Sequence, residues 1–227
     1  SGQETLPFFL FFIAFAIKMP IFPLHTWQPD AYEQAPTATT MVLSGVMVKM
    51  GLFAAIRWVL PLFPIATKTF AMPIVILSVI GMIYASLIAI KQDDIKRLIA
   101  YSSIAHIGLM AAAIFAGGTL GLQGVQVQMF NHGINVIGLW ILANAIESTL
   151  GTRKLSELGG LATKAPTMAI LFVVLAFANI ALPLTNAFIG EFLLFNGLFQ
   201  YNIWIAAAAC VSIILGAIYT LQMVQKV

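Results

Sequence analysis

The chain has 227 residues, of which 61% are hydrophobic and only 8% are charged, and its formal net charge is +3. This composition excludes a water-soluble domain, which needs far more polar surface. The positive charge does not indicate a nucleic-acid partner, because basic residues in so apolar a chain are typical of the loops that orient a membrane protein. The composition therefore predicts an all-α integral membrane protein whose first partner is the lipid bilayer.

Apolar runs separated by polar residues predict how often the chain crosses the membrane, since one crossing takes about 20 apolar residues. The sequence predicts a single transmembrane domain over 1–227 with about seven spans. These spans are 5–26, 36–60, 70–90, 98–116, 122–147, 166–199 and 203–225. The abrupt start and stop indicate the carboxyl-terminal part of a longer subunit.

Two of these spans contain prolines where a straight helix would need a free backbone N–H. The first contains the run KMPIFP at 18–23, and the sixth, which is too long for one straight crossing, contains ALPLTN at 181–186. Proline removes a helical hydrogen bond, and neighbouring polar groups satisfy the freed backbone. The sequence therefore predicts a multi-span helical bundle with two interrupted helices, a pattern typical of transporters built from repeated halves.

Loop charges predict the orientation of the bundle. Seven crossings place the loops at 27–35, 91–97 and 148–165 on the same side as the end of the chain. That side carries seven basic residues: Lys91, Lys96, Arg97, Arg153, Lys154, Lys164 and Lys226. Only Arg57 and Lys68 lie opposite, so the first side is predicted to be cytoplasmic.

Five ionisable residues lie well inside the predicted spans, away from the span ends, where a charge costs at least about 2.5–3.5 kcal/mol. They are Lys18, Lys49, His106, His132 and Glu191. Their depth predicts a row of protonatable groups near the middle of the membrane, with Lys18 and Lys49 buried and both histidines between Lys49 and Glu191. Ser102, Ser103, Gln128 and Asn135 share helical faces with the histidines and are predicted to hold water or hydrogen-bond the rings.

Each of these residues also has a structural interpretation. Lys18 snorkels to the headgroups if the first span is shifted, and a lone histidine is more often a satisfied core residue. Glu191 is placed to cap the second half of the sixth span. The single cysteine, Cys210, lies in an apolar run and cannot form a disulfide or a metal cluster by itself.

Six sequence motifs are spread over nearly all of the chain. They are KMPIFPLHTWQPDAYEQAPT at 18–37, LSGVMVKMG at 43–51, DIKRLIAYSSIAHIG at 94–108, NHG at 131–133, LGGL at 158–161 and FIGEF at 188–192. These motifs resemble those of the antiporter-like, proton-translocating subunits of respiratory complex I. The resemblance implies an inverted-repeat antiporter-like fold, of which this chain holds the end of the first repeat and most of the second.

The resemblance also implies roles for the five intramembrane residues. Lys18 corresponds to the lysine of a broken helix that faces a glutamate, expected before Ser1; Lys49 corresponds to the central lysine of the next helix. His106 and His132 correspond to the histidines of the connecting axis, and Glu191 to the acidic residue of the second broken helix. Among the paralogues of the family, a glutamate at this position favours one type over the two that carry lysine.

The expected function is proton translocation across a bacterial inner membrane, as a subunit of an NADH:quinone oxidoreductase, with neighbouring membrane subunits as partners. No cofactor is expected in this chain, because it lacks a cluster-forming set of cysteines and a dinucleotide fingerprint. The main alternative is the homologous subunit of a multisubunit sodium/proton antiporter or membrane-bound hydrogenase; His25 and Ala35-Pro36-Thr37 favour the oxidoreductase. A membrane scaffold or a solute carrier with a midplane pocket are further alternatives.

Overall fold

The structure is a computed structural model that describes residues 2–227, with the side chains from Glu4 onward. Nearly all of these residues are helical. In chain order the helices are α1 (Gly2–Lys18), α2 (Trp27–Gln34), α3 (Thr37–Leu62), α4 (Pro64–Ile90), α5 (Ile95–Ala116), α6 (Thr119–Leu150), α7 (Leu161–Lys164), α8 (Pro166–Asn179), α9 (Asn186–Tyr201) and α10 (Ile203–Lys226). The predicted all-α architecture is confirmed.

Local chemistry explains where several helices begin. The side chain of Asp94 accepts hydrogen bonds from the backbone N–H groups of Lys96 and Arg97, at 2.8 and 3.2 Å, and so caps α5. Asn202 caps α10 in the same way, and the Glu4 carboxylate accepts from two backbone N–H groups in the first turn of α4. These bonds satisfy amides that have no partner within their own helix.

Helix α5 lies at the centre of the bundle and packs against α2, α4, α6, α9 and α10. Its small residues allow close approach; for example, the Cα of Gly108 lies so near the Ser78 carbonyl of α4 that a side chain there would press on the backbone. By contrast, large apolar side chains such as Leu10, Phe130 and Trp204 remain exposed on the outer helices. This pattern is expected where the surrounding solvent is lipid.

Both predicted interruptions are confirmed. α1 ends at Lys18, and the non-helical residues 19–26 lead into the short helix α2. α8 ends at Asn179 and α9 starts at Asn186, with Ala181 and Leu184 between them at φ angles of 51° and 78°. Left-handed backbone at non-glycine residues is costly and persists only where neighbouring groups fix it.

The lengths of the helices differ from the predicted spans mainly at the ends. Within Gly2–Val227, five helices are long and apolar enough to cross a membrane: α3, α4, α5, α6 and α10. α4 begins at Pro64 rather than at 70, so Lys68 lies on the helix and not in a loop. The other two predicted spans are the interrupted ones, and the total of seven crossings stays a prediction.

The loops predicted to share one side meet in the structure. The backbone N–H of Ile95 donates to the Arg153 carbonyl at 3.1 Å, and that of Leu161 donates to the carbonyl of the last residue, Val227, at 3.0 Å. Ser156 hydrogen-bonds the Asp93 carboxylate through its side chain and its backbone, and these bonds hold the pKa of Asp93 below its usual range. The loops at 91–97 and 148–165 therefore form one face with the end of the chain.

Ion pairs fasten α2 to this face. Glu33 lies between two arginines, with its carboxylate 2.6 Å from the guanidinium of Arg97 and 2.5 Å from that of Arg153. Arg97 also contacts Asp30 at 3.1 Å, and Arg153 contacts Asp94 at 2.5 Å. We call Asp30, Glu33, Asp94, Arg97 and Arg153 the ion-pair cluster. It ties the segment that follows the first interruption to the first turn of α5.

Replacing Glu33 with alanine is expected to destabilise the protein, because the Glu33 side chain is only 14% exposed and its loss leaves two arginines without their shared partner. The free energy of unfolding should fall by about 2–4 kcal/mol, as for the loss of a charge-assisted bond in a largely buried pair. Titration of the purified protein with a denaturing detergent measures this change.

The matched control is Glu157→Ala, which removes the exposed pair between Glu157 and Lys154. Exposed ion pairs contribute little to stability, so this variant should unfold like the wild type. Equal effects of the two substitutions would show that the ion-pair cluster does not hold α2 in place.

Candidate functional site

Three of the five predicted residues lie side by side in the core of the bundle. Nδ1 of His106 on α5 is 3.0 Å from a carboxylate oxygen of Glu191 on α9. The rings of His106 and His132, the latter on α6, have their centroids 5.2 Å apart and are tilted by 51°. Three different helices thus contribute one continuous row, Glu191–His106–His132.

His132 is 3% exposed, and both of its ring nitrogens lack a hydrogen-bond partner among the described residues. Nε2 of His106 is also buried without a partner. Buried polar atoms are nearly always hydrogen-bonded, so three unsatisfied ring nitrogens in one place mark a site that needs further polar groups such as water. This arrangement differs from that of a satisfied core histidine.

Lys49 approaches the row from the other side of α6. Its side chain is 8% exposed, as predicted, and its ammonium donates a hydrogen bond to the Ser44 carbonyl. Ser44 belongs to a π-helical turn, Leu43–Met47, that ends two residues before Lys49; such turns frequently occur at functional sites. Lys49 faces α6 at Gly133, the neighbour of His132, along an open and mostly apolar groove.

Glu191, His106 and His132 are neighbours in space, and Lys49 contacts α6 at the residue next to His132. The order Lys49, His132, His106 and Glu191 along one path stays a prediction. Lys18 does not join them. It is exposed at the last turn of α1, so the prediction of a buried Lys18 is wrong for the residues described. The expected glutamate partner of Lys18 falls before Ser1 and lies outside the described residues.

Asparagines of α6 hold the second interruption in place. Asn135 donates to the Ala178 carbonyl at 3.2 Å, just before the break, and Asn131 donates to the Asn186 carbonyl at 2.6 Å, just after it. Because both asparagines flank His132 on the same helix, the interruption and the histidine keep a fixed relative position. Glu191 follows one turn and a half after the break and is positioned by the same contacts.

Three of the four polar neighbours of the histidines hydrogen-bond groups other than the rings, and the buried hydroxyl of Ser103 has no partner among the described residues. The amide of Gln128 donates to Glu191 at 3.3 Å, and Asn135 binds a backbone carbonyl. Ser102 contacts the Tyr219 hydroxyl at 3.0 Å and accepts from Asn179 at 3.0 Å. Within the part of the chain that the structure describes, none of these side chains hydrogen-bonds a histidine ring, and the alternative that they hold water stays a prediction.

Glu191 does not cap the second half-helix. α9 begins at Asn186 with Thr185 in the capping position, which places Glu191 in the second turn, beyond the unpaired N–H groups of the first. The Glu191 carboxylate instead contacts His106 and Gln128. Its position is explained by the histidine row and not by the helix terminus.

The geometry brings protonatable side chains together. Among residues 2–227, no group of three or more His, Cys, Asp or Glu side chains is placed to hold a metal ion. Imidazole and carboxyl groups both bind and release protons, and Nδ1 of His106 contacts the Glu191 carboxylate directly.

Comparisons with known proteins agree with this architecture. Residues 1–216 match the family described as NADH:quinone oxidoreductase/Mrp antiporter, TM. Similar curated proteins are NADH-quinone oxidoreductase subunit M of Rhodobacter capsulatus, 42% identical over all of this chain and 44% of its own length, and subunit M of Escherichia coli K12, 40% identical over 100% of this chain and 44% of its own length. The chain thus spans less than half the length of these relatives.

Solved structures show the same fold. Respiratory complex I from Thermus thermophilus with bound NADH matches 98% of this chain and 48% of its own, with a TM-score of 0.94 and 33% identity. The Mrp complex from Dietzia sp. DQ12-45-1b matches 93% of this chain and 40% of its own, with a TM-score of 0.88 and 25% identity. Sequence and structure together establish that the chain belongs to the family of NADH:quinone oxidoreductase and Mrp antiporter membrane subunits.

Proposed function

We propose that this chain translocates protons across the membrane as part of a subunit M of NADH:quinone oxidoreductase. The observation that carries the proposal is the contact of 3.0 Å between His106 and Glu191, continued by the neighbouring ring of His132. These groups come from three helices and lie in the core of a multi-pass membrane protein. Ionisable groups are costly to bury inside a membrane protein, so several of them together favour a role in transport.

In the proposed path, protons pass between Lys18, Lys49, His132, His106 and Glu191. Lys49 is the entry to the buried part of the path. Its side chain contacts α6 at Gly133, and the preceding residue of that helix is His132. Water molecules bridge the amine and the ring where no direct bond exists. Glu191 ends the row at the second interruption and exchanges protons with one membrane surface.

Lys18 takes part in this path only if further groups cover it, since it is exposed at the end of α1. We propose that it pairs with a carboxylate of the membrane arm, which matches the glutamate that the resemblance implies. Movement of such a partner toward or away from Lys18 changes the cost of holding a charge on Lys18 and, through the row, on Lys49. This switching would couple the row to events elsewhere in the complex.

The proposed partners are other membrane subunits of the oxidoreductase, within a bacterial inner membrane. We propose that this chain holds no redox cofactor and that NADH oxidation takes place elsewhere in the assembly. Large exposed apolar side chains on the outer helices, including Phe53 and Phe130, are compatible with neighbouring subunits or lipid. The contribution of this chain is the protonatable row.

A second candidate is a subunit of a sodium/proton antiporter, which the match to the Dietzia Mrp complex favours. The higher identity of the subunit M relatives supports the oxidoreductase instead. A sodium path needs oxygen ligands around a cation. Two imidazole rings in the middle of the row fit protons better than sodium.

Ion movement by the assembled complex tests these alternatives. In inverted membrane vesicles, NADH oxidation is expected to acidify the interior, and a sodium ionophore should leave this acidification intact while a protonophore abolishes it. The acidification should fall in a His106→Leu variant that assembles normally, because the row loses its central member. NADH-driven uptake of labelled sodium that collapses with the sodium ionophore would favour the antiporter function.

A further inference from the structure

A small cavity lies beside Glu191, between α4, α5, α8, α9 and α10. Its volume is ≈ 30 Å³, and its polar lining consists of His106, Asn179, Glu191, Ser212 and Tyr219. A water molecule needs a cavity of roughly 10–15 Å³ and two to four polar partners. The cavity therefore has both the room and the partners for ordered water.

A chain of hydrogen bonds fixes one wall of this cavity. The amide of Asn179, the last residue of α8, donates to the Ser102 hydroxyl at 3.0 Å, and that hydroxyl is 3.0 Å from the hydroxyl of Tyr219. Tyr219 is 2% exposed and lies on α10. These three side chains join α5, α8 and α10 directly at the second interruption.

The Ser102 and Tyr219 hydroxyls share one hydrogen bond in which either oxygen can be the donor, so one of their two protons has no protein partner among the described residues. When Ser102, which accepts from Asn179, donates to the Tyr219 oxygen, the free proton is that of Tyr219. In that arrangement the proton of the Tyr219 hydroxyl has no protein partner among the described residues, while the cavity that Tyr219 lines is also lined by the Glu191 carboxylate. A buried hydroxyl proton needs an acceptor. Water in the cavity that Tyr219 and Glu191 both line can accept this proton and donate to the carboxylate.

We propose that the cavity holds ordered water that joins the Glu191 carboxyl group to the Tyr219 hydroxyl, and that Tyr219 is a positioning residue for this water. The water accepts from Tyr219 and donates to Glu191. Asn179 and Ser102 set the direction of the tyrosine hydroxyl, so the water is tied to the interruption between α8 and α9. As a step in proton exchange at Glu191, this site rests on the proposed function.

The test is infrared difference spectroscopy of the assembled complex, in which the carboxyl bands of Glu191 are assigned by their loss in Glu191→Gln. In Tyr219→Phe, which keeps the ring and removes the hydroxyl, these bands are expected to shift in position. Their hydrogen–deuterium exchange should slow by about tenfold, since losing one hydrogen bond corresponds to roughly that factor. A merely structural role of Tyr219 would leave the exchange unchanged.

Tyr32→Phe is the matched control, because Tyr32 is equally buried at 1% exposure, its hydroxyl lacks a partner among the described residues, and it does not line the cavity. Its Glu191 bands should match those of the wild type. Unchanged bands and exchange in Tyr219→Phe would overturn the proposal. If that variant fails to assemble, Ser102→Ala and a high-resolution map of the wild-type complex provide the same test, and an empty cavity in the map overturns the water site.

These readouts separate the two proposals. The infrared bands report the surroundings of Glu191 whether or not protons are pumped. A band shift in Tyr219→Phe together with normal pumping in Glu191→Gln supports the water site and contradicts the proposed path. Normal bands in Tyr219→Phe together with lost pumping in Glu191→Gln support the proposed path and contradict the water site.

Discussion

Replacing Glu191 with glutamine is expected to stop proton flux through this subunit while leaving the complex assembled. Glutamine keeps the shape of the side chain and can still bind Gln128 and His106, so the packing between α6 and α9 is preserved. Its neutral amide cannot bind and release a proton as a carboxyl group does. The flux should fall by about 10²-fold, the lower end of what a positioned acid–base group contributes. Proton translocation and quinone reduction, measured together in membranes, give the ratio of protons to electrons.

Two further variants make this result specific. Glu191→Asp keeps the carboxyl group on a shorter stem and should retain part of the flux, because water can fill the gap to His106. Glu157→Gln removes a carboxylate from the exposed loop and should leave the ratio of protons to electrons unchanged. If Glu191→Gln pumps at the wild-type ratio at equal assembly, Glu191 does not belong to the path.

The sequence predicts the fold well where strong local rules apply. Pro20 and Pro183 each remove a helical hydrogen bond beside polar residues that can satisfy the freed backbone, so both interruptions follow from the sequence. Pro73, which has apolar neighbours, lies inside α4 instead. Likewise, the central depth of Lys49 and His132 predicts their burial, because an isolated charge or imidazole facing lipid is costly. These predictions need no knowledge of which helices are neighbours.

Contacts between distant residues lie beyond such rules. Glu33 meets Arg153 across 120 positions of the chain, and the sequence places both only in predicted loops. Tyr219 and Ser102 are 117 positions apart and show no common pattern. A useful signal exists only in part: a tyrosine in an apolar span needs a partner for its hydroxyl, but the sequence does not tell which one.

Lys18 shows a different limit. Its place beside the first interruption is set locally and is confirmed, since α1 ends at this residue. Its burial depends on groups outside α1, and the described residues leave it exposed. Glu191 shows the same limit, because the exact start of α9 at Asn186 decides which side chains can cap that helix, and the sequence does not fix this start to the residue.

Replacing Lys49 with methionine is expected to abolish proton flux through this subunit without destabilising it. Methionine fills a similar volume, and removing a largely buried charge relieves its desolvation cost, so the loss of the bond to the Ser44 carbonyl is offset. The row then loses the one group that lies on the far side of α6 from Glu191. We expect a decrease of about 10²-fold in flux, measured as vesicle acidification per NADH oxidised.

Lys49→Arg separates a proton carrier from a fixed positive charge. Arginine keeps the charge but does not release its proton in proteins, so this variant should assemble and still fail to pump. Lys68→Met, which removes an exposed lysine from the beginning of α4, should pump like the wild type. Wild-type pumping by Lys49→Arg would show that Lys49 acts through its charge alone, and the proposed path would then have to begin at His132.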